Sequence, residues 1–402
     1  MSKKPVGECA KLIRGVSYKK QDAIQSAKEG YIPLLRANNI LNNQLIWDEL
    51  IYVPSEYVSD SQYVRAGNII ITMSSGSKAH VGKVALANKD HFAAFGAFCG
   101  KLVCEDINPK YLAFALESRT FRQYIESASK GTNINNLKQS HILSYEIEVP
   151  KVCEQERIVS KIEELFSKLD ASVAELQTAK EKLKVYRQAV LEESLPYDSF
   201  GAISQYIESM GQGWSPKCAN KNSIDDDVWA VIKTTAVQHG YFDYTENKIL
   251  PDNLEPRNQH EISVGDILIT RAGPRSRCGV CCLVRKTKKR LLNCDKVYQI
   301  KPNRDKILPE YMEYVLNSPR FLLEINHCKT GGNDSGVNLT QNRFLTIKIP
   351  VPPLNIQKKI VEQIESRLSM CDSIEQTIDT SLQQAEALRQ SILNQAFDGE
   401  LV

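Results

Sequence analysis

The segment Val149-Pro150-Lys151-Val152-Cys153-Glu154-Gln155-Glu156-Arg157-Ile158 returns 202 residues later as Val351-Pro352-Pro353-Leu354-Asn355-Ile356-Gln357-Lys358-Lys359-Ile360. The shared pattern is V-P-x-x-x-x-Q-x-x-I. An extended stretch runs into proline, which stops a strand and sets up the next helix. Downstream, Arg187-Gln188-Ala189-Val190-Leu191 matches Arg389-Gln390-Ser391-Ile392-Leu393 at the same shift of 202. Upstream, Asn136-Leu137 matches Asn338-Leu339 (202) and Pro109-Lys110-Tyr111-Leu112 matches Pro309-Glu310-Tyr311-Met312 (200). Val64 to Thr72 then matches Ile262 to Thr270, and Gly15-Val16-Ser17-Tyr18-Lys19 matches Gly213-Trp214-Ser215-Pro216-Lys217, both shifted by 198. Matches in constant order at a nearly constant shift are an internal repeat. The 402 residues therefore divide into a globular part (1–152), a helical part (153–195), a second globular part (196–353) and a second helical part (354–402).

Each globular part reads as mixed α/β. A turn signal precedes a β-branched run in both: Gly67-Asn68 before Ile69-Ile70-Ile71-Thr72, and Gly265-Asp266 before Ile267-Leu268-Ile269-Thr270. A helix pattern starts after Pro109 and Pro309, with Tyr111, Leu112, Ala115 and Leu116 on one face. Extended stretches, Tyr145 to Pro150 and Thr346 to Pro353, close the two parts.

The helical parts carry heptads. In the first, Ile158, Ile162, Leu165, Leu169, Ser172, Leu176, Ala179, Leu183, Tyr186 and Val190 alternate spacings of four and three. The second keeps the register with Ile360, Ile364, Arg367, Cys371, Ile374, Ile378, Ser381, Ala385, Leu388 and Ile392, where Leu368 stands beside the discordant Arg367. Such stripes predict coiled coil. Two in one chain most simply bury each other; docking on the globular parts and pairing between chains are the alternatives. Small residues at 172, 179, 381 and 385 would permit close approach.

Composition supports a folded protein, with 42% hydrophobic and 25% charged residues. The 11 cysteines are odd in number, and Met1-Ser2-Lys3-Lys4-Pro5 lacks the apolar core of a signal peptide. No apolar run is long enough for a membrane span. A reducing cytoplasm is the expected setting. The net charge of +3 hides an uneven distribution: residues 154–193 carry −2 and residues 355–400 carry −4, leaving +9 for the rest. A basic globular remainder suits a polyanion, although ordinary surface charge gives the same figure.

Gly76-Ser77-Lys78-Ala79-His80-Val81-Gly82-Lys83 imitates a phosphate loop. Its first glycine comes one residue early, Val84 replaces the magnesium-binding hydroxyl, and the repeat copy Gly273-Pro274-Arg275-Ser276-Arg277-Cys278-Gly279-Val280 lacks the lysine. The better reading is a cationic glycine loop: Lys78 in one half, Arg271, Arg275 and Arg277 in the other. Arginine forks read guanine edges or clamp phosphates. Cys278 and Cys281 have zinc-ligand spacing, with Cys282 and Cys294 nearby, but a second C-x-x-C is missing and no metal is expected. The chain has no H-E-x-x-H, no G-x-S-x-G and no Asn/Asp-Pro-Pro-aromatic tetrapeptide of amino-methyltransferases, so no catalytic residue is assigned.

Two polar loops remain, 129–140 and 328–342. Asn and Gln can bond adenine bidentately, and Lys and Thr can reach phosphate, while Asn and Gly are also turn formers. Asn136 and Asn338, at the same place in both copies, read as structural. The candidate DNA-contacting set is Ser17, Lys19, Arg36, Ser75, Lys78, Lys130, Thr132 and Asn133 in the first half, with Lys217, Lys233, Thr234, Arg271, Arg275, Arg277, Lys329 and Asn333 in the second. The candidate helix-pairing or partner-binding set is Ile158, Ile162, Leu165, Leu169, Leu176 and Leu183 with Ile360, Ile364, Ile374, Ile378, Leu388 and Ile392.

The repeat, the helix after each copy and the V-P-x-x-x-x-Q-x-x-I junction together resemble the DNA specificity subunit of type I restriction-modification systems, the HsdS family, over nearly the whole chain. The ending Ala396-Phe397 with Gly399-Glu400-Leu401 adds to the likeness. Lys151-Val152 departs from the usual Pro-Leu before the helix, and Ile356 from the usual Glu before the Gln. The resemblance implies two target-recognition domains, each reading half of a split DNA target, and two helices packed as an antiparallel coiled coil. It implies a non-catalytic subunit that docks two adenine methyltransferase subunits and, in some assemblies, a restriction motor-nuclease. S-adenosylmethionine, ATP and magnesium would belong to those partners, and none to this chain. A coiled-coil scaffold without DNA readout is the alternative.

Overall fold

A computed structural model of the chain describes residues 2–41, 43–128, 136–196 and 198–401. They form two compact units, Met1–Leu176 with Thr380–Val402, and Gln177–Asp379. Each unit takes one part of each of two long helices, Val152–Ser194 and Leu354–Phe397.

The first unit is built on an antiparallel sheet in the order Ala10–Arg14, Cys99–Cys104, Ile69–Thr72, Val84–Leu86. A second sheet sets Tyr31–Leu35 between Ile51–Pro54 and Ala94–Phe95. The run Ile69-Ile70-Ile71 is buried throughout because its sheet is covered on both faces. Ile69 and Ile71 pack with Tyr111, Leu112 and Phe121 of the helical layer, while Ile70 joins Leu35, Ile40 and Phe95. A strand buried on both faces reads as a continuous apolar run, not an alternating one.

The second unit repeats this plan. Ile207–Gln212, Val297–Pro302, Ile267–Thr270 and Cys281–Leu283 form the four-stranded sheet, and Asn247–Ile249, Ala230–Ile232 and Leu291–Leu292 the second. Ile267 and Ile269 face Tyr311, Met312 and Phe321; Leu268 faces Ile232, Val237 and Leu292.

The repeated junction now has a physical cause. Gln155 is buried; its Oε1 accepts from Asn108 N (2.8 Å) and its Nε2 donates to Pro150 O (2.8 Å). Gln357, also buried, accepts from Leu308 N (2.8 Å) and donates to Pro352 O (2.8 Å) and Lys306 O (3.0 Å). One side-chain amide thus ties the long helix to the strand before it and to the loop that starts the shorter helix Pro109–Glu117 or Pro309–Asn317. Tyr111 and Tyr311 add the same bond in each copy, donating to Glu148 O and Pro350 O, both at 2.9 Å.

Within each unit the two long helices run antiparallel. In the second unit Lys180 pairs with Asp379 (2.6 Å) and Arg187 with Asp372 (2.7 Å), so one residue number rises as its partner's falls. In the first, Arg389 pairs with Asp170 and covers the Phe166 ring at 4.0 Å. The buried seam is narrower than the heptads predict. Ile158, Ile162, Leu183, Ile364, Ile378 and Ile392 are buried, and Leu165, Leu169, Leu176 and Ile360 half-buried. Ile374 and Leu388, however, are 49% and 51% exposed, and Ser172 and Ala179 face solvent. Charged contacts replace apolar interdigitation there: Arg187 with Glu375 near Ile374, and Arg389 with Asp170 beside Leu388. Arg367 fits by bonding Tyr186 Oη and Glu193, while Leu368 packs on the core.

Candidate nucleic-acid interface

In the second unit three segments meet at residues 293–297. The Gly213 and Trp214 amides donate to Cys294 O (3.1 Å) and Asn293 O (3.0 Å). A Cβ on Gly213 would lie 2.1 Å from Asn293 O, so only glycine allows this approach. The Arg271 amide donates to Lys296 O (2.8 Å), and the Leu339 amide to Arg271 O (2.7 Å). Ala272–Gly273, Val337–Leu339 and Lys329–Thr330 then form a small antiparallel sheet. Next to this junction lies an open cleft of about 460 Å³, lined by Ser215, Lys217, Lys233, Thr234, Lys248, Asp295 and Lys296 over an apolar floor of Val231 and Ile232. Four lysines line the cleft against two carboxylates, Glu246, which pairs with Lys233 at 3.4 Å, and Asp295, which accepts from the Ser215 hydroxyl. The balance favours an anion.

The first unit assembles the equivalent segments. The Val16 amide donates to Phe95 O (2.7 Å) and Ala97 N to Val16 O (2.9 Å), with a Cβ on Gly15 again 2.1 Å from a carbonyl oxygen, that of Gly96. The Met73 and Ser74 amides donate to Phe98 O (2.8 and 3.0 Å), Leu137 N donates to Met73 O (2.7 Å), and Ser74 bridges Asn136. Ser17, Lys19 and the loop bearing Ser75 and Lys78 are therefore brought to one place. Asn136 and Asn338 serve through their backbones, as strand partners of Ser74 and Ala272.

Several expected readers have other occupations. Arg277 donates to Gln238 Oε1 (2.9 Å), Thr234 O (3.0 Å) and Val237 O (2.7 Å). Three of its five N–H donors hold the turn after Ala230–Ile232, a role in the fold that stands beside its expected place among the DNA contacts. Lys329 also has a contact within the fold: its Nζ donates to Arg275 O (3.1 Å), and burial, then the Arg275 guanidinium, push its pKa down. Arg36 donates from Nη2 to Glu49 O (2.8 Å). Arg271 donates to Asp295 O (3.0 Å) and lies over the Tyr298 ring at 5.3 Å. Arg275 is more available: among the described residues its charged tie is an exposed pair with Asp334 at 2.7 Å. Lys233 is 3.4 Å from Glu246 at the cleft, and Thr234 lines it. Ser17, Lys19, Lys217 and Asn333 are exposed and Ser75 is half-buried. Lys78 opens a short turn, Lys78–His80. Lys130, Thr132 and Asn133 lie outside the described residues.

The imitation phosphate loop connects two antiparallel strands, Ile69–Thr72 and Val84–Leu86, and opens no helix onto a phosphate. Gly82 and Gly279 there have φ of +79° and +86°, and a Cβ on either would strike Ile125 or Ile325 at 2.6 or 2.7 Å. The loop's glycines seat a helix. Cys278, Cys281, Cys282 and Cys294 are buried, and burial pushes their thiols up, Cys294 to about 11. Among the described residues no three His, Cys, Asp or Glu side chains gather as a metal site. Among them, too, no helix is long and apolar enough to cross a membrane.

Lys248 and Lys296 were missed by the sequence reading. Lys296 could have been found from the repeat, because it directly precedes Val297–Pro302 as Phe98 precedes Cys99–Cys104. Lys248 carries no such signal.

The relatives agree with this geometry. Residues 1–181 and 213–384 match the family model for the type I restriction modification DNA specificity domain. The chain is 33% identical over 420 residues to the type I restriction enzyme EcoKI specificity subunit of Escherichia coli (strain K12), covering 99% of this chain and 88% of that one. Identity to the StySPI specificity subunit of Salmonella potsdam is 31% over 412 residues, with the same coverage of 99% and 88%. Among solved structures, a chain from "Structural basis underlying complex assembly and conformational transition of the type I R-M system" superposes with a TM-score of 0.72 at 14% identity, covering 99% of this chain and 98% of that one. The HsdS subunit from Thermoanaerobacter tengcongensis superposes with a TM-score of 0.52 at 15% identity, covering 99% and 97%. These two likenesses speak for the fold. With one scaffold built twice and a family match over most of its length, the chain belongs to the DNA specificity subunits of type I restriction-modification systems, a non-catalytic component of those complexes.

Proposed function

We propose that each unit reads one half of a split DNA target and that the paired long helices dock the catalytic partners. The observation that carries this reading is the double occurrence of one three-segment junction, which brings Ser17, Lys19 and the Ser75 loop together in one unit and Ser215, Lys217 and Arg271 in the other. Lysines and serines there can hold phosphates, and Arg275 can exchange Asp334 for a guanine edge. That exchange costs little, because an exposed ion pair is worth only about 0–1 kcal/mol. Docking is supported by apolar surface left on the helices: Val185 (71% exposed), Tyr186, Met370 (65%) and Ile374 in the second unit, and Leu388 in the first. The partners of this reading are two adenine methyltransferase subunits and, where restriction occurs, motor-nuclease subunits. S-adenosylmethionine, ATP and magnesium are held by those subunits, and the assembly works in the cytoplasm, where the DNA is.

The test is co-expression with the methyltransferase encoded beside it, followed by mapping of methyladenine across the host genome. A bipartite motif with a fixed gap is expected. Arg275→Ala and Lys78→Ala should each relax one half of that motif and leave the other intact. A continuous motif, or loss of both halves from either change, would refute independent readers.

A further inference from the structure

The repeat gives each residue of one unit a counterpart in the other, and one pair breaks the pattern. Phe98 and Lys296 both stand one residue before the central strand, and the carbonyls of both accept the amide of the residue that follows the neighbouring strand, Met73 or Arg271. Lys296 lines the lysine-rich cleft. Phe98, at the matching place, is 68% exposed and belongs to no apolar cluster. Cys99 beside it is fully buried, Ala97 N donates to Val16 O, and Phe98 O accepts from the Met73 and Ser74 amides, so the backbone is held while the ring is presented. Phe92 is also exposed, but stacks on Tyr63 at 5.8 Å. The Phe98 ring thus faces solvent at the junction that gathers Ser17, Lys19 and the Ser75 loop.

We propose that Phe98 is a specificity-determining residue of the first unit, an aromatic contact to base edges or to an unstacked base step of duplex DNA. The inference rests on the reading of that junction as a DNA interface. Lys296 performs the sequence-blind version of the same role by holding a phosphate. Both chemistries are available to a residue projected at a duplex: an ammonium gains from the phosphates whatever the sequence, and an apolar ring gains only where a thymine methyl or a deformable step meets it. The two halves of the target are then read by different physics from one scaffold position.

The experiment uses the chain co-purified with its methyltransferase. The probe is a duplex carrying the motif found by methyladenine mapping, compared with a scrambled duplex. For Phe98→Ala we expect specific affinity to fall about tenfold or more, with scrambled-duplex affinity unchanged and the motif relaxed in the first unit's half only. Phe98→Tyr should retain the motif. Phe98→Lys should raise affinity for the scrambled duplex, narrow the gap between the two duplexes and steepen the salt dependence by about one counterion. Equal loss on both duplexes, or an unchanged motif in Phe98→Ala, overturns the proposal. So does failure of Phe98→Ala to assemble with the methyltransferase, which would make the ring a protein contact. A wild-type complex that distinguishes no duplex from another would sink the DNA-reading function itself, whatever Phe98 does.

Discussion

Gln357→Ala should destabilise the second unit by about 3–4 kcal/mol. The side chain is buried and makes three hydrogen bonds, with Leu308 N, Lys306 O and Pro352 O at 2.8, 3.0 and 2.8 Å. Each such bond is worth roughly 1 kcal/mol net, and stranding a buried backbone group costs about 1–3 kcal/mol more. Partial relaxation keeps the total below the sum. Gln155→Ala removes two bonds and should cost the first unit about 2–3 kcal/mol. Urea unfolding followed by tryptophan fluorescence can separate them, because Trp47 lies in the first unit and Trp214 and Trp229 in the second. In a Trp47→Phe background the signal reports the second unit alone. Gln357→Ala should move its midpoint to lower urea, whereas Gln155→Ala should leave it nearly fixed, since the two share no partner. Gln357→Glu keeps the acceptor for Leu308 N but puts a carboxylate against Lys306 O and Pro352 O. It should therefore be less damaging at pH 5 than at pH 8, where the buried acid must ionise. A loss below about 1 kcal/mol for Gln357→Ala would mean that water replaces the amide, and the explanation of the repeated junction would fail.

Three further expectations follow from particular side chains. Arg277→Ala should cost about 2–3 kcal/mol in stability by freeing the carbonyls of Thr234 and Val237, while the base preference of the second half-site stays the same; an altered preference at unchanged stability would return Arg277 to the DNA. Glu117 has its pKa raised to about 8, chiefly by burial and further by Glu386, against the pull of Arg389, and its Oε2 has no hydrogen-bond partner. Its folded pKa lies above the unfolded one, so stability is present below about pH 4.5 and is lost as pH rises toward 8, by up to about 1.4 kcal/mol per pH unit; Glu117→Gln should flatten that slope in pH-dependent unfolding. Lys217→Ala should weaken binding to all duplexes alike and lower the slope of log affinity against log salt by about one, and a sequence-selective loss would contradict a phosphate role.

Much of the fold was legible because its signals are local or repeated. The runs Ile69–Thr72 and Ile267–Thr270 became the central strands, and the helices after Pro109 and Pro309 begin there. The long helices follow the heptads, yet Ile374 and Leu388 lie outside the buried seam, because a spacing of three and four does not report which positions are served by cross-helix ion pairs. The site was legible only in outline. Lys217 and Thr234 line the cleft of the second unit, and Ser17 is exposed at the matching junction of the first. For Arg277 and Lys329, residue type shows that a cation is present and not which carbonyls it meets. Lys248 reaches the cleft through strand pairing with Val231, a contact no linear pattern records.

The repeat itself sorts residues by role. Where the halves agree, the shared residue holds the scaffold: Gln155 and Gln357 tie the helix entry, Tyr111 and Tyr311 bond the preceding strand, and Gly82 and Gly279 seat a helix. Where they disagree at the junction, an exposed side chain is free to differ: Phe98 stands where the other half carries Lys296, both exposed, while Ser17 and Ser215, and Lys19 and Lys217, are the same in both. This division is what the proposed reading of two unlike half-sites by one duplicated scaffold requires. Identity between the halves then marks what folds, and difference at matched surface positions marks what recognises. Exchanging the exposed residues 98 and 296 alone should transfer base preference between the half-sites without lowering the stability of either unit, whereas Met73, buried in the first unit's core, belongs to the scaffold. Transfer that required Gln155, Tyr111 or Gly82 to change as well would show that recognition is distributed through the scaffold.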